Sequence, residues 1–191
     1  HDRRQLEVYA YFNARRGDDM TARLRTLVDH WRECCDWTDA DFAERLRADG
    51  IDILVDLSGH TAGNRLPLFA RRPAPVQVSY LGYAATSGLT AMDWRLTSAE
   101  VDPPGAEEGY SERLYRLPRT LWCYRPRDEL AATGAEAEMP APRCAGEVVF
   151  GALNNLAKAS AETISAWCAL LRRVPASRLV LTTVPEGALR E

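Results

Sequence analysis

Short apolar runs alternate with amphipathic stretches along the chain, the pattern of an α/β protein in which strands feed helices. Residues 6–12, with Leu6, Val8, Tyr9, Tyr11 and Phe12, predict a first strand. A polar turn at Gly17, Asp18 and Asp19 follows, then a helix with Leu24, Leu27 and Val28 on one face. Thr38, Asp39, Ala40 and Asp41 form a capping box in which Asp replaces the usual Glu. The helix it opens turns Phe42, Ala43 and Leu46 inward and stops at Gly50. Residues 51–57 then predict a buried, β-branched strand, the next unit of a doubly wound sheet. A short helix through Leu66, Leu68 and Phe69 is halted by Pro73 and Pro75, and residues 76–81 form the next strand. Residues 94–97 and 114–117 carry two further strand patterns.

The pattern breaks at residues 126–146, where Pro126, Gly134, Pro140, Pro142 and Gly146 give linker composition. Beyond it a strand at 148–150 leads to a helix capped by Ser160. That helix has Ile164, Trp167, Leu170, Leu171 and Val174 on one face, and Pro175 ends it before a strand at 179–181. The βαβ pattern has restarted. The expected organisation is a partial first lobe over 1–125, a linker over 126–146 and the beginning of a second lobe over 147–191. Roughly 45 residues are too few to close a second doubly wound domain. With His1 in place of Met, truncation at both ends is expected.

The net charge of −3 opposes a general nucleic-acid role, which calls for a basic surplus. No apolar run reaches the roughly 20 residues that span a bilayer. Arginine pairs such as Arg15 with Arg16 and Arg71 with Arg72 read mostly as solvated faces. The cysteines, Cys34, Cys35, Cys123, Cys144 and Cys168, are odd in number and irregularly spaced. They predict neither a disulfide framework nor a zinc site, but reduced, mostly buried thiols of a cytoplasmic protein.

Two loops carry candidate chemistry. Residues 58–64 follow the strand at 51–57, and residues 82–88 follow the strand at 76–81; both are rich in Gly, Ser, Thr and Ala. Ligands of open parallel sheets sit beyond the C-terminal strand ends, so the two loops are expected to line one cleft. His60, in the first loop, suits a hydrogen bond to a sugar or phosphate, or acid–base work; it equally suits a role fixing loop geometry. Lys158 is the one lysine of the chain and lies between a strand and a capped helix start. There it can meet a phosphate together with free helix N-terminal amides, or simply be a surface lysine. Ser58 lacks the nucleophile-elbow pattern because Asp56 stands where its first Gly belongs. No dinucleotide fingerprint, P-loop or metal-ligand spacing occurs, so a metal-independent site is expected.

Several strings in order resemble the catalytic region of the protein O-GlcNAc transferase family, in its bacterial branch. They are ILVDLSGHT at 53–61, GNR at 63–65, FARRPAPVQ at 69–77, LGYAATSG at 81–88 and YSERL at 110–114. The string FGALNNLAK at 150–158 resembles the opening of that family's second lobe. The resemblance implies two Rossmann-like lobes of the GT-B kind, the first nearly whole and the second only begun. It also implies transfer of N-acetylglucosamine from UDP-GlcNAc to Ser or Thr of an acceptor protein, with inversion, without metal or cofactor. A TPR superhelix in the parent would recruit the acceptor.

By the same resemblance Lys158 becomes the catalytic cation on the UDP pyrophosphate, with Asn155 near the phosphates. Leu81, Gly82 and Tyr83 shape the sugar pocket, and His60 and Thr61 belong to the sugar or acceptor loop. Ala84 and Ala85 replace the Pro-Gly of the animal pattern, and His60 stands where animal members carry Tyr. The isolated fragment is expected to be inactive, since most of the donor site lies beyond Glu191. The rival readings are a nucleotide- or partner-binding scaffold, and a GT-B enzyme acting on lipid or polysaccharide.

Overall fold

The computed structural model describes residues 2–124 and 146–181. The chain divides into two compact units, His1–Tyr124 and Arg125–Glu191. Residues 126–145 of the expected linker lie outside the described residues.

The first unit opens with strand β1 (Tyr9–Phe12), helix α1 (Asp19–Arg25) and strand β2 (His30–Glu33), the two strands pairing in parallel with Tyr9 opposite His30. This corrects the sequence reading. Helix α1 ends at Arg25, leaving Leu24 and Leu27 exposed rather than packed, and His30 starts a strand that the sequence pattern does not predict. Helix α2 (Asp39–Ala48) starts at Thr38, whose Oγ1 accepts from the Asp41 amide, and buries Phe42, Ala43 and Leu46 as expected. The reciprocal half of the capping box is replaced by the Thr38 hydroxyl donating to the Asp41 carboxylate at 2.7 Å.

Strands β3 (Ile53–Asp56), β4 (Val76–Ser79), β5 (Trp94–Ser98) and β6 (Arg113–Leu117) form a parallel sheet in sequence order. Crossovers of one hand between strands laid down in one direction all return over the same face. That face carries helix α3 (Leu66–Phe69) and the core of Leu46, Leu54, Leu68, Phe69 and Met92. The opposite face holds Ile53, Val55 and Tyr115, all exposed. Strand β3 is therefore buried on one face only, contrary to the expectation of a wholly buried strand. Two of the three crossovers carry no α-helix: β4 to β5 is loop, and β5 to β6 has one 3-10 turn at Ala106–Gly109 after Pro103 and Pro104.

The second unit pairs strand β7 (Val148–Ala152) in parallel with β8 (Ser177–Leu181), joined through helix α4 (Ala161–Arg173). Ser160 caps α4 by accepting from the Thr163 amide. Trp167, Leu171 and Val174 are half-buried, whereas Ile164 and Leu170 are exposed. The cysteine expectation also needs correction. Cys34 alone among the four described cysteines is buried, Cys35 is intermediate, and Cys123 and Cys168 are exposed.

Candidate functional site

The loops after β3 and β4 meet as expected, and two glycines let them do so. A Cβ on Gly82 would lie 1.9 Å from the Leu57 carbonyl oxygen, and one on Gly59 would lie 2.3 Å from Tyr83 Cβ. Gly59 also takes φ of +54°, which glycine adopts without strain. Leu81 enters the second loop at φ +64°, an uncommon conformation for a side-chain-bearing residue.

The sequence-predicted residues of the first unit gather here. His60, Thr61, Leu81, Gly82 and Tyr83 are all exposed. The His60 and Tyr83 rings meet edge to face at 5.1 Å. His60 Nε2 lies 3.2 Å from the Thr86 carbonyl oxygen. A carbonyl can only accept, so Nε2 is the donor in this contact. The Thr61 hydroxyl is spent locally, donating to the Ser58 carbonyl at 2.8 Å.

The polar side chains that hold the loops in place range from buried Asp56 through part-buried Arg65 to exposed Arg72. Asp56 accepts from the amides of Ser58 (3.1 Å) and Gly59 (2.8 Å), so both its oxygens shape the loop. Arg65, the arginine of the GNR string, donates to Asn13, Asp39 and the Trp37 and Cys34 carbonyls. Asn13 in turn donates to the Gly63 carbonyl, tying the end of β1 to the first loop. Arg72 likewise is more than a solvated charge, because it pairs with Asp93 at 2.6 Å and donates to the Ala91 carbonyl.

Glu112 is buried and accepts from the Ser87 amide (2.6 Å), the Thr86 hydroxyl (2.7 Å) and the Ser87 hydroxyl. Burial pushes its carboxyl up, but these hydrogen bonds outweigh burial and hold it below its ordinary value of 4.5. A carboxylate with a lowered folded pKa adds stability above its unfolded value, and that stability is lost as pH falls through the folded value. Thermal melts between about pH 7 and pH 3 should therefore show the wild type losing stability relative to Glu112→Gln on the acid side of 4.5. A pH-independent difference would remove this role.

In the second unit, Asn155 and Lys158 occupy the segment after β7. Asn155 caps the 3-10 turn Leu156–Lys158, its Oδ1 accepting from the Ala157 amide at 3.0 Å. The cap uses its oxygen and leaves its NH2 available to a ligand oxygen. Lys158 is exposed and forms no ion pair among the described residues. It lies two positions before Ser160, where the 13-residue helix α4 begins and the positive end of its dipole lies. Among the described residues no group of three His, Cys, Asp or Glu could hold a metal ion.

Comparison with known proteins agrees with the sheet and its loops. The chain is 44% identical to a lysine-to-methionine mutant of the O-GlcNAc transferase of Thermobaculum terrenum, with a TM-score of 0.84 over 95% of this chain and 33% of that one. It is 39% identical over 190 residues to the probable UDP-N-acetylglucosamine--peptide N-acetylglucosaminyltransferase SPINDLY of Solanum lycopersicum, covering 97% of this chain. It is 36% identical over 124 residues to the UDP-N-acetylglucosamine--peptide N-acetylglucosaminyltransferase of Caenorhabditis elegans, covering 64% of this chain and 11% of that protein. The chain spans 20% of the length of the tomato relative. Residues 1–132 match the family described as Glycosyl transferase family 41, and the chain belongs to that family.

Proposed function

We propose that the polypeptide carrying this chain transfers N-acetylglucosamine from UDP-GlcNAc to Ser or Thr hydroxyls of proteins, with inversion and without a metal ion. The parent would have two lobes of the GT-B kind, with protein acceptors recruited by a TPR region. The hydroxyl oxygen attacks C1 of the sugar, the bond from C1 to the β-phosphate oxygen breaks, and the hydroxyl proton passes to a base. UDP leaves carrying negative charge that must be neutralised. The observation that carries the reading is the placement of Lys158 at the C-terminal end of a parallel strand, just ahead of a capped helix. An ammonium and helix N-terminal amides together favour a diphosphate there. The free cysteines fit the cytoplasmic setting that the reading includes.

The test is turnover by the complete polypeptide with a panel of nucleotide sugars and a protein acceptor. Turnover with UDP-GlcNAc should survive excess EDTA, and the product should be the β-linked sugar, inverted from the donor. Turnover abolished by EDTA and restored by a divalent cation would overturn the metal-independent mechanism. Preference for another donor would overturn the sugar assignment. Binding of UDP without any turnover would favour the scaffold reading.

A further inference from the structure

Three side chains decide which way the peptide planes of residues 83–87 face. Arg95 is 1% exposed, and its Nη1 donates to the carbonyls of Tyr83 (2.9 Å) and Ala85 (3.1 Å). Buried Glu112 takes the Ser87 amide, and exposed His60 meets the Thr86 carbonyl of that same peptide from the opposite side. A trans peptide holds its C=O and N–H antiparallel, and no peptide bond among the described residues is cis. With the Tyr83 and Ala85 carbonyls turned to buried Arg95, the amides of Ala84 and Thr86 must point the other way. Among the described residues neither amide donates a hydrogen bond, and Ala84 is exposed.

The guanidinium is a costly way to fill a strand position. Its Nε has no hydrogen-bond partner and stands 3.7 Å from Asp102, whose carboxylate is occupied by the Thr97 and Tyr110 hydroxyls. Packing alone would be served as well by an apolar side chain. What an apolar side chain could not do is hold two loop carbonyls inward.

We infer that Arg95 is a positioning residue that presents the Ala84 and Thr86 amides as a two-donor site for acceptor oxygens of a sugar-nucleotide donor. The inference rests on the glycosyltransferase reading above. Sugar hydroxyls or acetamido oxygens and diphosphate oxygens share this chemistry, and the arms of the test separate them.

The test titrates UDP and UDP-GlcNAc calorimetrically into the complete polypeptide, as wild type, Arg95→Met, Arg95→Lys and Ala84→Pro. Arg95→Met should weaken UDP-GlcNAc binding by about tenfold or more, with the donor KM rising and the acceptor KM unchanged. Arg95→Lys, which keeps a donor under the loop, should recover part of the loss. Ala84→Pro removes one of the two amide hydrogens and nothing from the core, so it should reproduce a share of the loss at wild-type Tm. A loss confined to UDP-GlcNAc places sugar oxygens on the amides; an equal loss for UDP places the diphosphate there. Wild-type affinities in both Arg95→Met and Ala84→Pro overturn the Arg95 assignment alone. A wild type that binds neither nucleotide overturns the glycosyltransferase reading, and this site with it.

Discussion

Replacing Lys158 with alanine in the complete polypeptide should lower kcat by about 10²–10³-fold, the size of effect that follows loss of one preorganised group facing developing charge. In the proposed transfer, departure of UDP would concentrate negative charge on the diphosphate, and an ammonium counts most where such charge grows between ground and transition state. The loss should therefore fall mainly on kcat, with a smaller change in donor KM and none in acceptor KM. Lys158 is exposed and forms no ion pair among the described residues, so Tm should stay at the wild-type value. Lys158→Arg keeps the charge on a wider head and should restore part of the rate. A Lys158→Ala protein with near-normal kcat would show that the lysine is an ordinary surface residue and would leave the mechanism without its cation.

The strands that pack by pattern were legible before the structure, and those decided by tertiary contacts were not. Residues 53–56 announce themselves because three of the four are apolar, and residues 76–79 because Val76 and Val78 alternate with polar Gln77 and Ser79. The sequence of β2, His30-Trp31-Arg32-Glu33, carries three polar side chains and no alternation; only pairing with β1 makes it a strand. The exposed face of β3 was misread because Ile53 and Val55 are as apolar as Leu54. Composition does not say on which side the crossovers return. The two small-residue loops could be placed at strand ends, since their position follows from the strands. The side chains that set their shape could not. Nothing in the strings that hold Arg95 and Glu112 marks either side chain as internal, yet both are buried. One signal was available for Arg95: it stands between Trp94 and Leu96, where a charged residue on a strand must find a partner if it is buried. That partner set includes the Tyr83 and Ala85 carbonyls, which nothing in the sequence marks.

The same loops make Gly82→Ala the most damaging single methyl in the first unit. The added Cβ would lie 1.9 Å from the Leu57 carbonyl oxygen, 2.5 Å from its carbon and 2.9 Å from Ser58 Cα. All three are backbone atoms, so no flexible side-chain tip can yield and the two loops must separate. Gly82 has no positive φ, which means that close approach, not backbone freedom, requires glycine here. Forcing an extra methyl into such a contact costs about 1–3 kcal/mol, and Tm should fall by several degrees. Activity should suffer more than stability. A displacement of about 1 Å in positioning groups costs roughly 10²-fold in rate, and separation of the loops carries Leu81 and Tyr83 with it. Gly109→Ala is the matched control, because its Cβ would meet nothing within 4 Å and its φ is ordinary. Melting curves and turnover measured on both variants decide the matter. If Gly82→Ala behaves like Gly109→Ala in both, the loops do not depend on their contact and the candidate cleft loses its geometric basis.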